Sequence, residues 1–386
     1  MDKRVIYSKC QNYDHNNINK SLDFIISNLP DLEQKAKTAK LILIKPNLIS
    51  PKPPEKAVTT NPEVLICLIE KLKKYGANII IADTPAGKLN DNIMQKLYDT
   101  CKMSYVEQQT GCKLNWDFSD LDAPMPDSKI MKNYKILQVA ENADLIINFA
   151  KMKTHCFTMQ TCATKNLYGI IPGLLKMQYH LTMSKIDVFS NMLLDIERYF
   201  SHKTIHFIDG IVGMEGNGPT NGEPFEAKCL LAANNPVYLD ILACHIMGIN
   251  PLKISTITEA IKRRIISTTK YEDLDVLSDN TIQTYNFKLP PERGRVLPDK
   301  VPNWLRNMAT NLLIPKPNVN KDKCIGCRAC EEICPPQLIK TIDDKAVIDD
   351  YSSCIRCYCC QEVCPQDAID LIRPIGRKIL GLLKVR

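Results

Sequence analysis

The sequence predicts an α/β fold: a large three-layer domain with a mostly parallel sheet, followed by a small α+β domain at the C-terminus. Three observations predict it. Short, unbroken apolar runs alternate with helix start and stop signals through residues 1–285. A cysteine run is written twice near the end, thirty positions apart. The 386 residues also exceed what one hydrophobic core of ordinary size organises.

Leu41–Ile44 is a continuous apolar run, the mark of a strand buried on both faces. Asn61 and Pro62 then open a helix, as N-cap and first helical residue. Val64, Leu65, Leu68, Ile69 and Leu72 form its apolar face, and Gly76 closes it. Ile79–Ala82 is the next strand, completing a βαβ-like unit. Leu145–Phe149 and Ile205–Ile208 repeat the strand type, and Asn235-Pro236 opens a helix that closes at Gly248. This alternation carries the α/β domain over residues 1–285. Pro290, Pro291, Pro298, Pro302, Pro315 and Pro317 then fall within 28 residues. Such density marks 286–317 as a linker, with one short amphipathic helix over Trp304–Ile314. The small domain occupies 318–373, and 374–386 is a basic amphipathic tail expected to pack on the body of the protein.

The first cysteine run is Cys324-Ile-Gly-Cys327-Arg-Ala-Cys330-Glu-Glu-Ile-Cys334-Pro335; the second is Cys354-Ile-Arg-Cys357-Tyr-Cys-Cys360-Gln-Glu-Val-Cys364-Pro365. Both read C-x2-C-x2-C-x3-C-P, the run that holds a [4Fe–4S] cluster. Cubane iron takes four soft thiolates; three come from one turning loop and the fourth from the other copy. One cluster therefore takes Cys324, Cys327, Cys330 and Cys364, and the other takes Cys354, Cys357, Cys360 and Cys334. Structural zinc also uses paired C-x-x-C, but it does not need a third and fourth cysteine with a trailing proline, given twice. Cys359 falls off the spacing and reads as a bystander beside Cys360. Residues 318–373 resemble the two-cluster bacterial ferredoxin module, which implies a ferredoxin-like small domain.

Seventeen cysteines resemble a secreted count, yet eight are the expected cluster ligands and the rest are scattered. No apolar leader follows Met1. A reducing cytoplasm is therefore the expected location. The formal charge of +7 is partly offset by cluster charge, and no Lys/Arg-rich run with interleaved aromatics points to nucleic acid. No stretch of apolar residues is long enough to make a transmembrane segment.

Parallel α/β sheets bind ligands beyond the carboxyl ends of their strands. Past the predicted strands come Lys45-Pro-Asn47, Asp83-Thr-Pro85, Lys151-Met-Lys153-Thr-His155 and Asp209-Gly-Ile-Val-Gly-Met-Glu215-Gly-Asn217-Gly218-Pro219. Helix caps and turns also gather at strand ends, so the set counts for more than any single residue. Five of fifteen glycines lie between Gly210 and Gly222, a loop suited to cradling an anion, though it is neither a dinucleotide fingerprint nor a Walker motif. Asp240 sits in a helix that is apolar nearly all round; a buried carboxylate needs a partner, either a pocket lysine or a neighbouring loop. Cys156 and Cys162 read as core or pocket-wall residues.

Lys45-Pro-Asn-Leu48, Lys151-x-Lys-Thr-His155, Thr161-x-x-x-Lys-Asn-x-x-Gly169, Asp209-Gly with Glu215-Gly-Asn-Gly-Pro219, and the helix bearing Asp240 together resemble the DUF362 family. The resemblance spans nearly the whole chain and implies a site at the matching positions. His155, Lys153, Lys165 and Asp240 are its expected catalytic residues. Lys45, Asn47, Asn166, Asp209, Glu215, Asn217 and Gly218 are expected to bind substrate. Cys162 departs from the small apolar residue usual there, which ties it to the substrate. The leading expectation is an iron–sulfur oxidoreductase. Its two [4Fe–4S] clusters pass electrons to or from a small anionic or carbonyl-containing substrate, the lysines hold an oxygen and His155 supplies a proton. A ferredoxin or other electron donor protein is a partner consistent with this reading; no signature shows a flavin. The alternatives are an electron-transfer or assembly subunit whose α/β domain catalyses nothing, and a non-redox enzyme with structural clusters.

Overall fold

The structure is a computed structural model that describes residues 2–290, 302 and 314–372. Its strands begin with β1 (Arg4–Lys9), β2 (Leu41–Lys45), β3 (Asn78–Ile81) and β4 (Lys113–Leu114), followed by the hairpin of β5 (Asp120–Pro124) and β6 (Asn133–Leu137). Then come β7 (Leu145–His155), β8 (Met159–Gln160), β9 (Thr204–Asn217), β10 (Asn221–Phe225), β11 (Cys229–Ala233) and β12 (Asp275–Ser278). A ten-stranded sheet runs β12-β1-β11-β9-β7-β2-β3-β4, with β8 added to β7 and β10 to β9. Along that order every pair is parallel except the two made by β11.

Side chains of a strand alternate between faces, and the core divides accordingly. Ile42, Ile44, Leu145, Ile147 and Phe149 pack on one side against helices including Pro62–Lys73 and His15–Ser27. Leu43 and Ile146 point the other way, into a layer with helix Ile186–Phe200. Helix Pro236–Met247 covers the rest of that face. The result is three layers. Asn61 and Asn235 cap their helices as the sequence requires, the first accepting from Glu63 N and the second from Val237 N and Tyr238 N.

Two strands run further than their apolar cores. β7 extends to His155, so Lys151, Lys153 and His155 lie within a strand and not past its end. β9 extends through the glycine segment to Asn217 and folds back as β10. The expected anion loop is thus a β-hairpin. A Cβ at Gly213 would come within 2.8 Å of Met152 O, so the missing side chain serves close strand packing. A register shift between Lys151 and Lys153 marks where the extension leaves the regular ladder.

The α/β domain also continues past residue 285. Phe287 is buried with its ring 4.4 Å from that of Phe225, and Lys288 N donates to Glu215 Oε2 at 2.8 Å. The small domain holds β13 (Lys316–Val319) paired with β16 (Ile369–Ile372), and β14 (Ile339–Ile342) paired with β15 (Lys345–Ile348), all antiparallel. Two short helices, Ala329–Ile333 and Cys359–Glu362, lie between them. Lys316 and Pro317, read from sequence as linker, belong to this domain. Of the expected linker helix only Ile314 is described; the rest of it and the tail 374–386 lie outside the described residues.

β2 opens the parallel set. The chain then adds β3 and β4 on one side and β7 and β9 on the other. The reversal between β2 and β7 leaves a crevice at the carboxyl ends of these strands, the position where such sheets bind ligands.

Candidate functional site: a cleft between two domains

The crevice contains a row of buried lysines. Lys45, at the end of β2, donates to Asp83 Oδ1 at 2.8 Å, and Asp83 Oδ2 accepts from Leu48 N at 2.6 Å. A Cβ on Gly169 would overlap Asp83 Oδ1, which explains the glycine there. Lys151 donates to Asp209 Oδ2 at 2.8 Å and to the Tyr13 hydroxyl at 2.9 Å. Lys153 donates to Asn47 Oδ1 and Val58 O, both at 2.7 Å, with no carboxylate against it among the described residues. Burial, followed by the Lys165 charge, pushes the Lys153 amine well below its ordinary range. Behind it runs a chain of amides: Asn47 Nδ2 donates to Asn166 Oδ1, Asn166 Nδ2 to Asn148 Oδ1, and Asn148 Nδ2 meets His206 Nδ1.

The small domain closes the crevice into a cleft. Asn47, Asp83, Lys165, Asn166 and Lys176 face it from the α/β side, and Ile333, Cys359 and Glu362 from the other. The Lys165 side chain makes no hydrogen bond or ion pair among the described residues. Burial lowers its pKa, while the charge of Glu362 pulls it back up. Lys176 donates to Thr84 O and Thr84 Oγ1 beneath the Tyr168 ring, and burial pushes its pKa down to about 7. His180 stacks on Phe189 at 4.7 Å.

His155 lies one step behind the cleft. Its Nδ1 accepts from Phe157 N at 3.0 Å, so the ring proton sits on Nε2, which lies 3.2 Å from Glu362 Oε1. Burial, helped by the Lys165 charge, pushes His155 down to about 4. Burial alone would raise Glu362; the His155 contact and the charge of Lys165 outweigh it and hold the carboxyl below its usual range. At neutral pH the pair is a neutral imidazole facing a carboxylate.

The two cysteine sets expected from the spacing each wall a cavity. Cys324, Cys327, Cys330 and Cys364 surround one, and Cys334, Cys354, Cys357 and Cys360 surround the other. No three His, Cys, Asp or Glu side chains among the described residues converge on a single ion's position. A cubane, with thiolates at its corners, asks for sulfurs around a volume instead. The second ring adjoins the cleft: Ile333 precedes Cys334, and Cys359 lies between Cys357 and Cys360.

A sequence profile for a domain of unknown function, DUF362, matches residues 42–245, over half the chain. The protein is a member of the DUF362 family. In this DUF362 protein a 4Fe-4S dicluster domain also matches, over residues 323–368. A thylakoid-associated protein of Synechocystis sp. is 26% identical over 296 residues, 75% of this chain and 88% of that protein. The lactate racemase apoprotein from Thermoanaerobacterium thermosaccharolyticum superposes on 64% of this chain at 15% identity and a TM-score of 0.37; the alignment spans 57% of that structure. Among the described residues no helix is long and apolar enough to cross a membrane.

Several expected site residues of the DUF362 domain lie elsewhere. Asp240 has no lysine against it: Oδ1 accepts from Ala163 N at 2.7 Å and Oδ2 from Thr164 N at 3.1 Å, so it caps helix Cys162–Asn166. Burial raises its pKa to about 7. Asp209 is committed to Lys151 and Tyr13. Glu215 pairs with Lys288 at 3.1 Å. Asn217 and Gly218 lie at the β9–β10 turn, where Asn217 O accepts from Gln361 of the small domain at 3.5 Å. Cys162 is a fully buried core residue, and Cys359, expected to be a bystander, forms cleft wall. Sequence reasoning missed Lys176, His180 and Glu362. The only available signal for Glu362 was the contrast between the two copies of the cysteine run.

Proposed function

We propose that this protein is an iron–sulfur oxidoreductase that exchanges electrons with a small substrate in the cleft between its domains. Cys324, Cys327, Cys330 and Cys364 would hold one [4Fe–4S] cluster, and Cys354, Cys357, Cys360 and Cys334 the other. When bound, such clusters supply or accept electrons one at a time. The observation that carries the reading is the cleft wall: Ile333 and Cys359 each adjoin a cysteine of the second ring while facing the Lys165 ammonium across the cleft.

The chain's own residues have distinct tasks in this reading. Lys165 presents N–H donors to a substrate oxygen in a water-poor site, where a preorganised cation stabilises developing negative charge. Lys176, near neutrality and lining the cleft, is better placed than His155 to hold an exchangeable proton. His155 and Lys153 hold Glu362 and Asn47 from behind.

The test starts from holoprotein reduced with dithionite under argon. Size-fractionated cell extract is added and the reduced-cluster EPR signal is followed. A fraction of small molecules should re-oxidise the wild type, and Lys165→Met should slow this at least about tenfold. Re-oxidation by macromolecular fractions alone would instead favour an electron carrier.

A further inference from the structure

We propose that the cleft takes an uncharged, planar, conjugated carbonyl compound whose oxygen accepts from Lys165 Nζ. The inference deepens the redox reading above and rests on it.

Clustered lysines and a histidine in the sequence ask for an anion, and a ligand is one source. The folded chain supplies its own. Asp83 and Glu362 both line the cleft, and Asp83 neutralises Lys45 at 2.8 Å. His155 adds no positive charge, because its Nδ1 accepts from Phe157 N and the ring therefore carries a single proton. Lys176 is satisfied by Thr84 and Lys153 by Asn47 and Val58. What remains is Lys165: a buried ammonium with a carboxylate charge near it and no acceptor in contact.

That need is for an oxygen, not for another full charge. A donor that opens on the cleft with no protein acceptor is free to take a ligand oxygen. A ligand carboxylate would meet the need, but Asp83 is already matched by Lys45 and Glu362 by Lys165, so it would add a negative charge with no cation left to balance it. A carbonyl oxygen accepts the hydrogen bond without that repulsion. The rest of the lining sets the rest of the molecule. On the α/β side Ile49, Ala86 and Met177 are apolar and Tyr168 offers an aromatic surface, and Ile333 faces them from the small domain, so the body of the ligand is hydrophobic and flat. Conjugation follows from the redox reading, since only a delocalised system spreads the charge of a single added electron onto the oxygen that Lys165 holds.

The experiment uses two probes of matched size, duroquinone and 2,3,5,6-tetramethylbenzoate. Binding to oxidised holoprotein is measured by equilibrium dialysis, so no electrons move. Duroquinone should bind at least about tenfold more tightly than the benzoate, and Lys165→Met should weaken duroquinone at least about tenfold. Iron content and unfolding midpoint report whether the variant is folded; the wild-type comparison of probes stands without it. Tighter binding of the benzoate, absence of binding by duroquinone, or equal duroquinone binding in folded Lys165→Met would overturn the proposal. Tight benzoate binding would still leave the redox reading intact. That reading fails separately, if no small-molecule fraction re-oxidises the reduced protein.

Discussion

The two copies of the cysteine run share a spacing but differ in what covers them. In the first, Cys327 is exposed and Ile325 is 61% accessible; Arg328 and Glu332 face solvent. In the second, Arg356, Cys357, Tyr358, Cys359, Cys360, Gln361 and Glu362 are all buried. Tyr358 packs into a core cluster of the α/β domain, and Cys357 and Cys359 pack near Ala86 and Met177. One repeat therefore meets the outside and the other meets the cleft. The shared spacing fixes the cysteines alike in both; the residues between them are free to specialise, and they have done so in opposite directions.

The largest break in this contrast should come from the ligands themselves. Cys327→Ser and Cys360→Ser should each lower iron from about eight to about four atoms per chain. Only Cys360→Ser should also abolish ligand binding in the cleft, as dialysis would reveal. Cys359→Ser should keep all the iron; iron loss equal to that of Cys360→Ser would undo the ligand assignment.

Next in size is an acid sensitivity to which the buried repeat's interface contributes. His155, near 4 when folded, lies below the unfolded value of about 6.5. Between those values the unfolded chain binds more protons, so stability falls as pH drops from about 6.5 to about 4, by on the order of 3 kcal/mol. His206, pushed by burial to about 3, acts in the same direction. Urea unfolding at several pH values measures the slope, and His155→Gln should flatten it. An unchanged slope in that variant would assign the effect to other groups.

Glu362 and Glu332 occupy equivalent positions in the two copies and give a cleaner comparison. Glu362→Gln removes a buried carboxylate that faces His155 and Lys165, and should cost about 2 kcal/mol in denaturant unfolding. Glu332→Gln, on an exposed side chain, should stay within about 0.5 kcal/mol. Similar costs for both would mean that the two repeats are not differently placed. The smallest effect belongs to Lys52, which reaches Asp367 at 2.7 Å across the domain boundary. Asp367 is about one-third exposed, so Lys52→Ala should cost no more than about 1 kcal/mol.

The layers of the fold were legible because apolar runs such as Leu41–Ile44 report burial directly. The cysteine rings were legible because cluster ligation dictates spacing. The cleft was legible only in part. Lys151, Lys153 and His155 read as strand-end residues because a buried strand is expected to be apolar. They are buried all the same, each supported by a group far along the chain: Asp209, Asn47 or Glu362. Pairings of that kind leave no local pattern. Asp240 misled for the opposite reason, since backbone amides satisfy it and no charge was needed. The change from Arg328, Ala329 and Glu331 to Tyr358, Cys359 and Gln361 was the available hint that the second copy faces protein.

The contact between His155 and Glu362 crosses from one domain to the other, and so do the bonds from Asn217, Thr220 and Asn221 to the small domain. A cleft whose far wall is Ile333, Cys359 and Glu362 does not exist until the second repeat has taken its shape. The binding site is therefore a property of the pair of domains, and on the proposed reading anything that unmakes the second repeat would also remove one wall of the cleft.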